Sequence, residues 1–169
     1  MIEVNEKIEV DAAPQTVWSL LSDPRAVVDC VPGAALGEEQ EDGSFDATLT
    51  VKFGPAKVTF RARVALELDA AAMTGHVNAR GKDTQGGTKM RAKMTFGVVE
   101  RSHPPGSTIP IAAQVEISGR LSTLIESGAT LVVKRMTKEF TERLAARCAG
   151  TAGATGQTVQ GDISTGGRT

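Results

Sequence analysis

From Ala34 to Leu121 apolar and polar residues alternate with a period of two, interrupted by Asp42-Gly43, Gly54-Pro55, Ala70 to Ala72, Gly81 to Gly87 and Ser102 to Ser107. A period of two sends successive side chains to opposite faces of a strand, and short breaks rich in Gly and Pro join antiparallel neighbours. Six strands in a meander are predicted. Phe45, Ala47, Leu49, Val51 and Phe53 share one face of a strand, as do Val58, Phe60, Ala62, Val64, Leu66 and Leu68 on the next. Met73, Gly75, Val77 and Ala79 follow, then Met90, Ala92, Met94, Phe96 and Val98, then Ile109, Ile111, Ala113, Val115, Ile117 and Gly119. A sheet with one face so apolar needs a cover.

The following stretch supplies it. Leu121, Ile125, Gly128, Val132, Met136, Phe140 and Leu144 recur at steps of three and four, which predicts a helix from Ser122 to Ala149 with one apolar stripe. Thr123-Leu124-Ile125-Glu126 reads as a capping box at its start, and Glu139 with Arg143 as an i,i+4 pair. About 25 residues of helix span roughly 40 Å, so the partner must be a long sheet rather than a hairpin.

Ahead of the meander, Ile2 to Val10 alternates and reads as a first strand. Pro14 opens a helix that buries Val17, Trp18, Leu20 and Leu21, and Asp23-Pro24 starts a second, short one with Asp as N-cap. The order strand, two helices, six strands and long helix is that of an α+β helix-grip fold, a seven-stranded curved antiparallel sheet around a long C-terminal helix. The domain is expected to occupy residues 1–149. After Cys148 the sequence turns to Gly, Thr, Ala and Gln without periodicity, so residues 150–169 are expected to be a disordered polar tail.

With 169 residues, 40% hydrophobic content and a net charge of -1, the chain is one domain with a sizeable core and no basic excess for nucleic acid. No basic start with an apolar run marks a signal peptide, and no stretch is long enough to span a bilayer, so a cytoplasmic location is expected. Cys30 and Cys148 lack metal-ligand spacing and are expected to be free thiols.

Small residues on the inward face, such as Ala47, Gly75 and Ala92, either let the helix sit close or leave volume for a guest. The candidate cavity residues are Leu49, Phe60, Val64, Val77, Met94, Phe96 and Val115, facing Val132 and Met136. The candidate mouth is Phe53, Gly54 and Pro55 with Gly86 and Gly87. No catalytic or metal-binding residues are expected, because His76 alternates outward, His103 lies in a Pro-Pro loop, and the inward face reads as free of polar groups. The outward face carries Lys52, Lys57, Arg61, Arg63, Arg80, Lys89, Arg91 and Lys93. Arg61, Arg63 and Arg91 are the candidate contact to an acidic partner or anionic membrane, against the plainer reading of a solvated sheet face.

Five strings in order carry a resemblance: Val17-Trp18-Ser19-Leu20-Leu21-Ser22-Asp23-Pro24, Cys30-Val31-Pro32-Gly33, Val51-Lys52-Phe53-Gly54-Pro55, Gly81-Lys82-Asp83-Thr84-Gln85-Gly86-Gly87 and Ser118-Gly119-Arg120-Leu121. Over Met1 to Cys148 the chain resembles the CoxG subunit of carbon monoxide dehydrogenase, a branch of the START-like (SRPBCC) superfamily of polyketide cyclases and lipid-transfer proteins. The resemblance implies a non-catalytic accessory protein that binds a hydrophobic ligand, a respiratory quinone (menaquinone or ubiquinone), with no covalently bound cofactor. It implies as partners a molybdenum-containing carbon monoxide dehydrogenase or related oxidoreductase and the inner face of the cytoplasmic membrane, where the protein would be peripheral. The sequence departs from the family at Leu121 to Ser127, where a more apolar start is usual, and at its polar end, where longer members carry an extension. A small cyclase or hydrolase of the same superfamily, or a purely structural recruitment adaptor, are the alternatives.

Overall fold

The computed structural model describes residues 1–159. β1 (Ile2–Val10) leads through α1 (Pro14–Leu21) and α2 (Pro24–Cys30) into β2 (Ala34–Glu39), β3 (Phe45–Phe53), β4 (Ala56–Asp69), β5 (Thr74–Asp83), β6 (Thr88–Gly97), β7 (Val99–Arg101) and β8 (Gly106–Gly119). The last element is α3 (Ser122–Val159). The antiparallel sheet runs β1-β8-β6-β5-β4-β3-β2, with α1 and α2 carrying the chain from one edge strand to the other. The α+β helix-grip architecture is as expected.

Three local expectations need correction. The sheet has eight strands rather than seven, because β7 continues β6 along β8 in one register, Phe96 opposite Ile111 and Val99 opposite Thr108, after an interruption at Val98. The Val98 amide instead bonds the Met73 carbonyl at 2.9 Å, a break that alternation cannot reveal since the phase is kept. β5 also runs to Asp83, so its loop begins later than Gly81. At the start of α3 no capping box forms: the Leu121 carbonyl accepts the Ile125 amide at 3.0 Å, while Glu126 reaches the N-terminal amine of Met1 at 3.2 Å. The expected partner of Thr123 is therefore engaged elsewhere.

α3 continues to Val159, so residues 150–159 of the expected tail are helical, and 160–169 lie outside the described residues. Adding a turn to an existing helix needs no new nucleus, and no proline interrupts this stretch, so weak helix formers such as Gly150 and Gly153 can follow. The Asp23 cap is present, its side chain accepting the Arg25 amide at 3.1 Å. Glu139 and Arg143 sit 3.9 Å apart at the surface.

The stripe of α3 is buried at Ile125, Ala129, Val132, Leu144 and Cys148. Its close neighbours are β1, β3, β8, α1 and α2 rather than the central strands β4, β5 and β6. The core consequently divides. One cluster joins Ile8, Val10, Val17, Leu21, Cys30, Val98, Ile109, Leu144 and Cys148; another joins Val51, Phe53, Val58, Phe60, Ile125 and Val132 at the end where α3 begins. Between them the inward side chains of β4 to β6, among them Val64, Leu66, Val77 and Met94, are only half-buried.

Candidate functional site

The unfilled space is a cavity of about 320 Å³. Its wall is made by Ile8 from β1, Leu21 from α1, Pro24, Val27 and Val28 from α2, and Val31 and Pro32 just beyond. Leu36, Phe45, Ala47, Val64, Leu66, Val77, Met94, Phe96, Ile109 and Ile111 complete the sheet side, and Met136, Thr137 and Phe140 face them from α3. Thr137 is the one polar residue of the lining among the described residues. The volume falls at the lower end of the roughly 300–1,000 Å³ typical of small-molecule sites.

Of the residues expected to line a cavity, Val64, Val77, Met94, Phe96 and Met136 do so. Phe60 and Val132 instead belong to the closed core at the other end, Leu49 packs against that core, and Val115 is outside the lining. Period-two alternation says which face a residue takes and nothing about where α3 stands off, so the face is as expected and the position along it is not. The contribution of α2 is also absent from the expected lining. Its signal is the run Val27-Val28 followed by Val31-Pro32, too apolar for a mere connection.

The small residues divide between the two readings. Ala47 leaves room that the cavity uses, whereas a Cβ at Gly75 would collide with the Phe96 ring, which already fills that space. Phe96 in turn packs on Trp18, ring centroids 6.3 Å apart. Trp18 thus stands directly behind the cavity wall.

The expected mouth is closed. Phe53, Gly54, Pro55, Gly86 and Gly87 do gather at one end, but Phe53 is 7% exposed, and its ring lies against Gly128, where a Cβ would come within 3.2 Å of it. The cavity lies away from this end, lined by residues near the starts of β3 and β8 and in the second half of β4. An aromatic ring beside a glycine on a helix is as good a plug as a gate, and burial decides for the plug.

The inward face is also not free of polar groups. Asp83 and Thr88 are buried on it at the closed end, Asp83 opposite Phe60 in the register. The Asp83 carboxylate accepts the amides of Gln85 at 2.8 Å and Gly87 at 3.3 Å, and the Thr88 hydroxyl accepts the amide of Leu121 at 2.8 Å. These bonds tie the β5–β6 turn to the start of α3. Burial pushes the Asp83 carboxyl up, but the Gly87 amide, the Thr88 hydroxyl and the Gln85 and Gly86 amides together outweigh it and hold its pKa below the usual carboxylate range.

A lowered pKa means that the charged form is favoured by the fold, so this contribution is complete above the ordinary carboxylate range and is lost as the pH falls through the folded value. Asp83→Asn is expected to flatten the fall of the thermal midpoint between about pH 5 and pH 3 relative to the wild type. Equal slopes for the two proteins would remove Asp83 from the acid response.

The two thiols are free and buried, and burial pushes both pKa values up, which leaves them poor nucleophiles at neutral pH. His76 and His103 are exposed and stand outside the cavity. Among the described residues no group of three His, Cys, Asp or Glu converges as a metal site would require, and no helix is long and apolar enough to cross a membrane. Arg61, Arg63 and Arg91 lie exposed on the outward face of the sheet.

Solved structures share this fold at low identity. A conserved protein from Geobacillus kaustophilus superposes with a TM-score of 0.76 at 18% identity, over 89% of this chain and 97% of that one. A protein from Thermus thermophilus gives 0.67 at 14%, over 89% and 99%, and the aromatase/cyclase Zhui from a Streptomyces species gives 0.58 at 15%, over 97% and 99%. At these identities the likeness is one of fold. No curated protein matches the sequence. The family model for the CoxG subunit of carbon monoxide dehydrogenase matches residues 7–149, from the end of β1 through the buried stripe of α3, and the chain belongs to that family.

Proposed function

We propose that the protein is a non-catalytic carrier whose cavity holds the ring of an isoprenoid quinone, menaquinone or ubiquinone, and presents it to a molybdenum-containing carbon monoxide dehydrogenase at the inner face of the cytoplasmic membrane. The observation that carries this reading is the lining: apolar side chains on every wall and a lone hydroxyl at Thr137. Such a surface suits a guest that is mostly hydrocarbon with few acceptors. Burying about 300 Å² of apolar guest surface would contribute about 7 kcal/mol before the costs of ordering. A cavity of about 320 Å³ takes a ring system and a short stretch of tail. A long isoprenoid tail would therefore run out of it.

General acid–base or nucleophilic chemistry needs a titratable or activated group in reach of the guest, and the lining supplies a threonine hydroxyl alone. Membership in a family described as part of a dehydrogenase supports leaving the redox chemistry to the dehydrogenase. In this reading Thr137 donates its hydroxyl hydrogen to one quinone carbonyl and so fixes the ring's orientation. Thr137→Val, which keeps the shape, is expected to weaken binding about 2- to 10-fold, the worth of one neutral hydrogen bond. An unchanged Kd in isothermal titration with a short-chain quinone would remove that role.

Native mass spectrometry of the protein purified from a quinone-producing host tests the reading. A one-to-one adduct with the mass of an isoprenoid quinone is expected, at an occupancy that drops in the Thr137→Val protein. A cavity that copurifies only with fatty acids, and that takes up no quinone from vesicles, would refute it.

A further inference from the structure

The outward face of the sheet carries an arrangement that antiparallel pairing normally avoids. Register places Arg61 opposite Lys82 and Lys82 opposite Lys89, so that one row of cations crosses β4, β5 and β6. A second row, Arg63, Arg80 and Arg91, runs parallel to it two residues away on each strand. All six side chains are exposed. Neighbours within a row stand about 4.8 Å apart at the backbone, and like charges directly opposite each other destabilise a sheet. Among the described residues the ion pair of Arg63 with Asp46, at 2.9 Å, is the one formed by these six. The fold gains nothing from so many unneutralised cations, so something outside it must.

The pattern at the ends of the rows says what. Arg63 pairs in register with Asp46 on β3, and Arg91 with Glu116 on β8, so the arginine row is bounded by an acid on each side. A continuous anionic plane such as a bilayer would meet those acids too and be repelled at both edges. A bounded cluster of carboxylates would not. The residues interleaved on this face, such as Thr48, Thr59, Asn78 and Ser118, offer no ring to stack on a base and no large apolar group to enter a bilayer, while Leu131, at 76% exposure, is on α3. We propose that the two cation rows across β4, β5 and β6 are a docking surface for a protein partner with a clustered patch of Asp and Glu side chains.

The partner's chemistry is inferred independently of the cavity's guest, and the test separates the two. The protein is immobilised and probed by biolayer interferometry with poly-L-glutamate, with vesicles containing phosphatidylglycerol, with a DNA duplex and with purified carbon monoxide dehydrogenase. Two double variants of equal charge change are compared with the wild type: Arg80→Glu with Lys82→Glu, at the centre of the rows, and Lys52→Glu with Lys57→Glu, an opposed pair off the rows. Poly-L-glutamate is expected to bind in preference to vesicles and DNA, to weaken with salt, and to lose at least tenfold in affinity in the first variant but not the second. Relief of the cation rows is expected to raise the thermal midpoint of the first variant by about 1 to 4 °C, a gain that a purely structural role would not pair with lost binding. Equal losses in both variants, or preferential binding of vesicles or DNA through the rows, would overturn the proposal. If the dehydrogenase binds none of the three proteins while poly-L-glutamate obeys the pattern, the docking surface stands and the dehydrogenase reading falls.

Discussion

Filling the cavity from the sheet side, with Ala47→Phe and Val77→Phe together, is expected to abolish quinone binding, at least a tenfold loss in affinity, while leaving the protein folded. Ala47 and Val77 point into the space from β3 and β5, and neither belongs to a packed core cluster. Added rings would therefore occupy volume that a guest needs rather than volume that neighbouring side chains hold. Overpacking of a filled core costs about 1–3 kcal/mol per site, whereas rings entering a real void bury apolar surface at little strain. The expected change in unfolding free energy is within about 1.5 kcal/mol, measured in urea alongside binding. A stability loss of several kcal/mol would mean that the space is already packed, and retention of binding would place the guest elsewhere.

The closed end is expected to respond in the opposite way. Phe53→Ala removes the ring that packs on Gly128 within the cluster of Val51, Val58, Phe60, Ile125 and Val132. Truncating a buried Phe typically costs about 3–5 kcal/mol, which for a domain of this size lowers the thermal midpoint by about 6–20 °C. Quinone affinity below that midpoint is expected to match the wild type, because the ring borders no part of the cavity. A Phe53→Ala protein with normal stability and altered quinone exchange would return Phe53 to the cavity mouth.

Much of this architecture is legible in the residues. Ile2 to Val10, Pro24 as the first residue of α2 and Ser122 as the start of α3 are all marked by local chemistry: strict alternation, an Asp-Pro cap, and the end of a period-two run where steps of three and four begin. The sheet's inward face is legible for the same reason. What alternation cannot supply is depth along that face. Leu49 and Val64 are indistinguishable by period, yet one packs on the closed core and the other borders open space, because α3 approaches β3 and leaves the middle of the sheet. Asp83 is a different kind of miss, since two more steps of the alternation Gly75, Val77, Ala79 reach it and place it inward. Reading Gly81 as the start of a loop cuts that alternation short.

Trp18 offers the most direct test that the apolar space between α2, α3 and the sheet is the quinone site. It is the single tryptophan of the chain and stacks, tilted, behind Phe96, a residue of the cavity wall. Titration with menadione, a naphthoquinone ring without a tail, is expected to quench Trp18 fluorescence saturably at one equivalent, and the Ala47→Phe, Val77→Phe protein is expected to show only weak collisional quenching. Quenching that never saturates, or that is identical in the filled and wild-type proteins, would contradict a quinone ring in this cavity.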